Sequence, residues 1–187
     1  MFPIQLNDDV ALELLEVRHA DELFRVTDAN RAHLREWLPW VDGAKSPEDT
    51  KAFIQVVRKQ LFDNKGFQTA IRFRGALVGV VGHHGINWAN RSSSLGYWLS
   101  KDAQGRGIMT EACRAYTSHA FATLKLNRME IRCAVENRKS RAIPERLAFR
   151  SEGIIRQAEW LYDHFVDHVV YGMLASEWGH DAGDIAA

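Results

Sequence analysis

Leu95-Gly96-Tyr97-Trp98-Leu99-Ser100-Lys101-Asp102-Ala103-Gln104-Gly105-Arg106-Gly107-Ile108-Met109-Thr110 is the stretch on which the reading of this chain turns. Leu95–Leu99 alternates as a strand. The helix opening at Gly107 should run to about Leu124, because Met109, Ala112, Cys113, Tyr116, Ala120 and Leu124 recur at helical spacing. A glycine-rich turn from strand into helix leaves unpaired N–H groups at the positive end of the helix dipole, an arrangement that binds anions. Gly105 and Gly107 let an anion approach the backbone closely, and Arg106 adds charge. The plainer alternative is that both glycines only permit a tight turn. Two nucleotide fingerprints fail here: no Gly-Lys-Ser/Thr ending follows, and Thr110 stands where a dinucleotide motif needs its third glycine.

Outward from this stretch the pattern is mixed. Val10–Val17 reads as a first strand, and Ala20–Asp28 and Asn30–Leu38 as helical pieces closed by Pro39. Ser46-Pro47-Glu48-Asp49 is a helix start, with Ser at the cap, Pro at the first helical position and acids in the first turn. That helix should reach about Asn64, with Phe53, Val56, Val57, Gln60 and Leu61 on or near its buried face. From Phe67 the period becomes two, and Phe67–Phe73, Leu77–Ile86 and Leu95–Leu99 follow one another through short turns, which predicts antiparallel pairing. Arg128–Val135 reads as a strand, Arg138–Leu147 as a helix, and Gly153–Leu161 with Phe165–Leu174 as a final hairpin. The class is α+β, a mixed central sheet with helices packed on it.

Composition narrows the function. The chain has 187 residues, 46% apolar and 26% charged, the balance of a globular protein that buries its own core. No linker or repeat divides it, so residues 1–178 read as one domain and 179–187 as a C-terminal tail. Lys plus Arg is 24 and Asp plus Glu is 24, and a net charge of zero argues against a direct nucleic-acid binder or a polybasic membrane binder. No apolar run is long enough to span a membrane, and the N-terminus lacks a signal core. Two cysteines, Cys113 and Cys133, suit a reducing compartment, so a cytoplasmic protein is expected.

Gln104-x-x-Gly107 resembles the start of the Gln/Arg-x-x-Gly-x-Gly/Ala signature of the GNAT superfamily of N-acetyltransferases. Met109 departs from the last small position, a departure tolerated in the RimL-like branch that acetylates the terminal Ser or Ala of ribosomal proteins. The likeness continues through Leu95–Leu99, Thr110-Glu111-Ala112, Asn137-Arg138-Lys139-Ser140, Leu147-Ala148-Phe149, Glu152-Gly153, and the final hairpin with Arg156–Glu159 and Tyr171. It covers about Phe67–Glu177 firmly and the N-terminal elements more loosely. The resemblance implies a largely antiparallel GNAT sheet with a splayed strand at an acetyl-CoA site. The pantetheine arm would lie beside Trp98, Leu99 and Ser100. Pyrophosphate would sit on the amides of Gly105, Arg106, Gly107, Ile108, Met109 and Thr110, just after Gln104. Asn137 and Ser140, opening the next helix, would either cap it or reach the pantetheine and thiol.

Acetyl transfer needs a neutral amine, donors for the developing oxyanion and a proton for the departing thiolate. The tyrosine that many family members use falls at Pro144 here, so the resemblance leaves Ser140 as the residue beside the sulfur. Lys101 occupies the place where that branch can carry a Glu; Asp102 is adjacent, and the base stays unassigned. His164-x-x-Asp167-His168 has metal-ligand residue types, but on a strand positions four apart lie roughly 13 Å from one another, so no metal is predicted. Trp37, Trp40 and Trp88 stand between core packing and contact with an acceptor. The expected activity is acetyl transfer from acetyl-CoA to a primary amine, foremost a protein N-terminal α-amine of ribosomal type. The alternatives are a polyamine or aminoglycoside acceptor, or a non-catalytic acyl-CoA-binding module. The sequence leaves open the acceptor and whether the protein forms a homo-oligomer.

Overall fold

A computed structural model describes residues 3–179, and residues 180–187, most of the expected tail, lie outside the described part. One sheet runs through the chain in the order β1-β2-β3-β4-β5-β6-β8-β7. Its strands are β1 (Ile4–Gln5), β2 (Val10–Leu14), β3 (Gln68–Phe73), β4 (Ala76–Asn87), β5 (Ser92–Leu99), β6 (Arg128–Ala134), β7 (Arg150–Leu161) and β8 (His164–Leu174). The helices are α1 (Ala20–Ala29), α2 (Arg31–Arg35), α3 (Pro47–Phe62), α4 (Ile108–Ala122) and α5 (Arg138–Arg146). The short turns after Phe73 and Asn87 give antiparallel β3–β4 and β4–β5 pairs, as the period-two pattern predicts. Among the described strands only β5 and β6 run parallel, because α4 carries the chain across between them.

Helices cover both faces. On one, α4 and α5 bury Met109, Ala112, Cys113, Tyr116 and Ile143 against Ile71, Val81, Leu95, Ile131 and Val169. On the other, Leu23 of α1 and Ile54 and Val57 of α3 pack on Ala70, Leu77 and Val80. Arg72 ties this second layer together, its guanidinium 2.7 Å from Glu22 of α1 and 3.1 Å from Glu13 of β2. Those contacts hold the Glu22 carboxyl below its ordinary value although burial opposes them.

The helix start at Ser46 is as expected, with the Ser46 hydroxyl accepting from the Asp49 N–H at 3.3 Å. The buried face of α3 agrees with the expected one at Val57 and differs from it elsewhere. Thr50, Ile54 and Val57 face the sheet, whereas Phe53, Val56 and Leu61 are exposed and Gln60 is half-buried. Residues 50, 54 and 57 fall on a single helical stripe; Phe53 and Val56 lie one position off it, and Leu61 continues it into the last turn of α3, where it is exposed. Further differences are a two-residue β1, a shorter α2 and an earlier start of β7 at Arg150.

Candidate active site

The turn into α4 is built for close approach. Gly105 and Gly107 have φ of 74° and 76°, the left-handed region that most side chains avoid. A Cβ on either glycine would meet nothing within 4 Å, so the turn opens outward. Gly107 caps α4 with no side chain on the first-turn amides, which leaves those donors for a ligand. Ile108 and Met109 are buried in the core, so they offer backbone rather than side chain. Thr110 is half-buried. Arg106 donates from Nε to the Asp102 carbonyl at 3.2 Å, and its guanidinium lies over the Phe73 ring. Lys101 and Asp102 are exposed, and the Lys101 N–H donates to Asn30 Oδ1.

Beside the turn the sheet opens. The parallel ladder joins Ser92–Leu95 to Arg128–Ile131 and then stops, while β5 continues along β4 to Leu99 and β6 continues along β8 to Ala134. The side of β5 that faces β6 is therefore unpaired from Gly96 to Leu99. Ser100 donates its N–H to Val78 of β4 at 2.7 Å. Strand alternation then turns the backbone of Trp98 toward β4 as well, and that of Leu99 toward the opening.

Ser140 stands on the α4 and α5 side of this opening. Asn137, not Ser140, caps α5: its Oδ1 accepts the Ser140 N–H at 3.1 Å. The Ser140 hydroxyl is thereby left to face the Cys133 sulfur at 3.2 Å and the Tyr97 hydroxyl at 3.4 Å. Tyr97 in turn donates to the Ser140 carbonyl at 3.2 Å. Burial raises both the Tyr97 phenol and the Cys133 thiol above their ordinary values, so both are neutral donors. Pro144 is buried in α5 and brings no polar atom to the site.

The opposite face of the opening carries other chemistry. Trp98 points there and meets Trp40 at a ring-centroid distance of 6.0 Å. His84 lies across Gly96, where any side chain would collide with the imidazole. His168 pairs in register with Ala134 and approaches Glu159 at 3.5 Å. Burial lowers the His84 pKa, and the Glu159 charge opposes that shift. The tip of the β7–β8 hairpin closes over this side, with the Tyr162 hydroxyl donating to the Leu38 carbonyl at 2.6 Å and Arg35 stacked 3.8 Å above its ring. Trp88 is elsewhere, its indole donating to the Asn64 carbonyl.

The sequence marks the glycine turn, Asn137 and Ser140. It does not mark Tyr97, Cys133, Glu159 or His168 as site residues, since these meet only through the sheet register. Glu159 sits beyond an irregularity in the β7–β8 ladder, which no spacing rule counts across. His164 pairs with Asp163 and His168 with Glu159, and among the described residues no three His, Cys, Asp or Glu side chains gather.

With this geometry in hand, comparison with known proteins is specific. The family profile described as "Acetyltransferase (GNAT) domain" matches residues 9–150, well over half of the chain. YdaF of Bacillus subtilis (strain 168), which carries the name of a ribosomal N-acetyltransferase, is 35% identical over 95% of this chain and 98% of its own length. The ribosomal-protein-serine acetyltransferase of Escherichia coli (strain K12) is 28% identical over 91% of this chain and 96% of its own. In structure, RimL, the ribosomal L7/L12 alpha-N-protein acetyltransferase solved with coenzyme A disulfide-bonded to a cysteine, superposes with a TM-score of 0.89 at 27% identity, covering 92% of this chain and 97% of that one. An open parallel seam beside a glycine turn, in a chain with this kinship, belongs to an acetyl-CoA-dependent N-acetyltransferase of the GNAT family.

Proposed function

We propose that this enzyme acetylates a protein N-terminal α-amine, with a ribosomal protein as the class of acceptor. The observation that carries the reading is the opening between β5 and β6, lined by hydroxyl and thiol on one face and by aromatic, imidazole and carboxylate groups on the other. The relatives named for ribosomal proteins span nearly the whole chain, which supports the acceptor class.

Bound acetyl-CoA supplies an activated thioester. The amides of Gly105–Thr110 cradle its pyrophosphate, and the backbone of Leu99 meets the pantetheine arm as an added strand. Trp98 and Ser100 shape that strand from the β4 side, and Asn137 holds α5 in place for it. Cys133 and Ser140 together put a thiol and a hydroxyl at the end of the opening, which supports the thiol end of the coenzyme lying here. Ser140 then turns its hydroxyl proton from the Tyr97 oxygen to the sulfur as the C–S bond breaks, while Tyr97 stays held by the Ser140 carbonyl. From the other face the amine nitrogen attacks the carbonyl carbon. An α-amine has a pKa of about 7.7–8.0, so a fair share arrives neutral, and Glu159, His168 or His84 takes the proton released as the amide forms. Trp40 and Trp98 provide an apolar wall for the first residue of the acceptor. This reading places the enzyme in the cytoplasm, where reducing conditions suit two free thiols, and allows a homo-oligomer.

An acceptor screen with mass-spectrometric readout tests it. Peptides beginning with Ser or Ala should be acetylated at the α-amine with kcat/KM at least tenfold above spermidine and aminoglycosides. Faster turnover of the small amines would overturn the acceptor assignment, and no turnover of any amine would leave a binding module.

A further inference from the structure

Gln104 is more than the first residue of the turn. Its side chain reaches in two directions: its Oε1 accepts from Lys139 Nζ of α5 at 3.3 Å, and its Nε2 lies 2.7 Å from His33 Nε2 of α2. The turn before α4 and the first turn of α5 are the two walls of the opening in which β5 and β6 part. A polar bar thus runs from α5 through Gln104 to α2, across the glycine turn that the proposed cofactor site uses. We propose that Lys139, Gln104 and His33 form a latch that the cofactor opens on entry, that recloses behind it, and that holds only while His33 is neutral.

The chemistry of the three groups fixes the condition. A lysine ammonium only donates, so the amide oxygen of Gln104 must face Lys139. The amide NH2 is then turned to His33 and needs an acceptor, which the ring nitrogen supplies only when unprotonated. If His33 takes a second proton, Gln104 can turn its oxygen to the imidazolium, but it then presents NH2 to Lys139, donor against donor. One end of the bar fails in either orientation. The groups facing His33 are Glu36 on its own side of the chain, Lys101 after β5 and Lys139 on α5. Burial keeps the His33 pKa below its ordinary value, Glu36 opposes that, and Lys139 and Lys101 reinforce it. The latch is therefore shut at neutral pH and opens only in acid, as pH falls through a His33 pKa that lies below the ordinary imidazole value.

The inference rests on the placement of the cofactor in this cleft, and dissociation of coenzyme A followed by stopped-flow fluorescence from pH 8 to pH 5.5 separates the two. In the wild-type enzyme the dissociation rate should rise about tenfold across that range. The 3′-phosphate of coenzyme A can titrate in the same range, with a second pKa near ~6, so the variants decide. His33→Gln keeps an acceptor oxygen and cannot titrate, and should dissociate as slowly as wild type at pH 8 and rise clearly less toward pH 5.5. Gln104→Ala should dissociate about tenfold faster at pH 8 and rise no more toward pH 5.5 than His33→Gln does. An unchanged pH profile in His33→Gln, or a Gln104→Ala rate at pH 8 equal to wild type, would overturn the latch while leaving the cofactor site standing. Wild-type enzyme that fails to bind coenzyme A at any pH overturns both.

Discussion

A hydroxyl does different work according to which hydrogen bonds its neighbours have already made. Because Asn137 takes the Ser140 N–H, the Ser140 hydroxyl is released from capping and faces Cys133 and Tyr97. The two residues should therefore separate cleanly on mutation. Ser140→Ala should lower kcat about tenfold or more, equal to about 1.4 kcal/mol in the barrier, with acetyl-CoA affinity and melting temperature nearly unchanged. Asn137→Ala should instead destabilise the fold by about 1 kcal/mol, the usual value of an N-cap. Steady-state kinetics and thermal melts on both variants check this; a Ser140→Ala enzyme of normal kcat would remove Ser140 from the chemistry.

Elements show where one-dimensional reading succeeds and where it stops. Ser46-Pro47-Glu48-Asp49 announces α3 because a cap is a local arrangement whose partners lie within one turn. The face that α3 buries is another matter. Phe53 and Val56 are apolar like Ile54, and only the sheet on which the helix lands, at Ala70, Leu77 and Val80, decides which stripe is covered. Ile54→Ala should accordingly cost about 2–5 kcal/mol, and Val56→Ser, on the exposed side, less than about 0.5 kcal/mol in urea unfolding. The candidate site divides along the same line. Gly107, Asn137 and Ser140 are legible because a turn and a helix start are local signals. Tyr97 meets Cys133 and Ser140 only because β6 lies next to β5, a pairing between residues separated by the whole of α4. His168 depends on one further pairing, β6 with β8, and Glu159 on a second, β8 with β7.

Across the whole molecule, one buried group sets a pH limit on stability. His83 is fully buried under Phe67 and Tyr116. The Ser93 hydroxyl donates to the Gly85 carbonyl, so His83 Nδ1–H donates to Ser93, and Nε2 is left without a partner. Desolvation, aided by His119 and His84, pushes the His83 pKa down to about 4. The folded protein thus keeps this ring neutral where the unfolded chain, with its pKa near 6.5, binds a proton. Its contribution is intact above pH 6.5 and is lost as pH falls toward 4, amounting to about 3 kcal/mol at the lower end. Urea unfolding at pH 7 and pH 4.5 should show that loss in the wild type, and His83→Asn should lose less over the same interval. An equal loss in both proteins would show that carboxylates set the acid limit instead.

A sheet with unpaired backbone carries an aggregation hazard, since any free strand edge is a template for another chain. The two outer margins of this sheet are each blunted, β1 by having two residues and β7 by irregular pairing around Gly153 and between Ile155 and Glu159. The third stretch of free backbone, along Gly96–Leu99, has neither defence, and its protection is its position. It lies inside the sheet, between β4 and the departing β6, with α4 and α5 packed on one face. Flanked by strands on both sides and by helices on a face, that stretch has no open margin along which a neighbouring sheet could pair. The enzyme can thus keep backbone donors and acceptors permanently on offer to a slender ligand without offering them to other copies of itself.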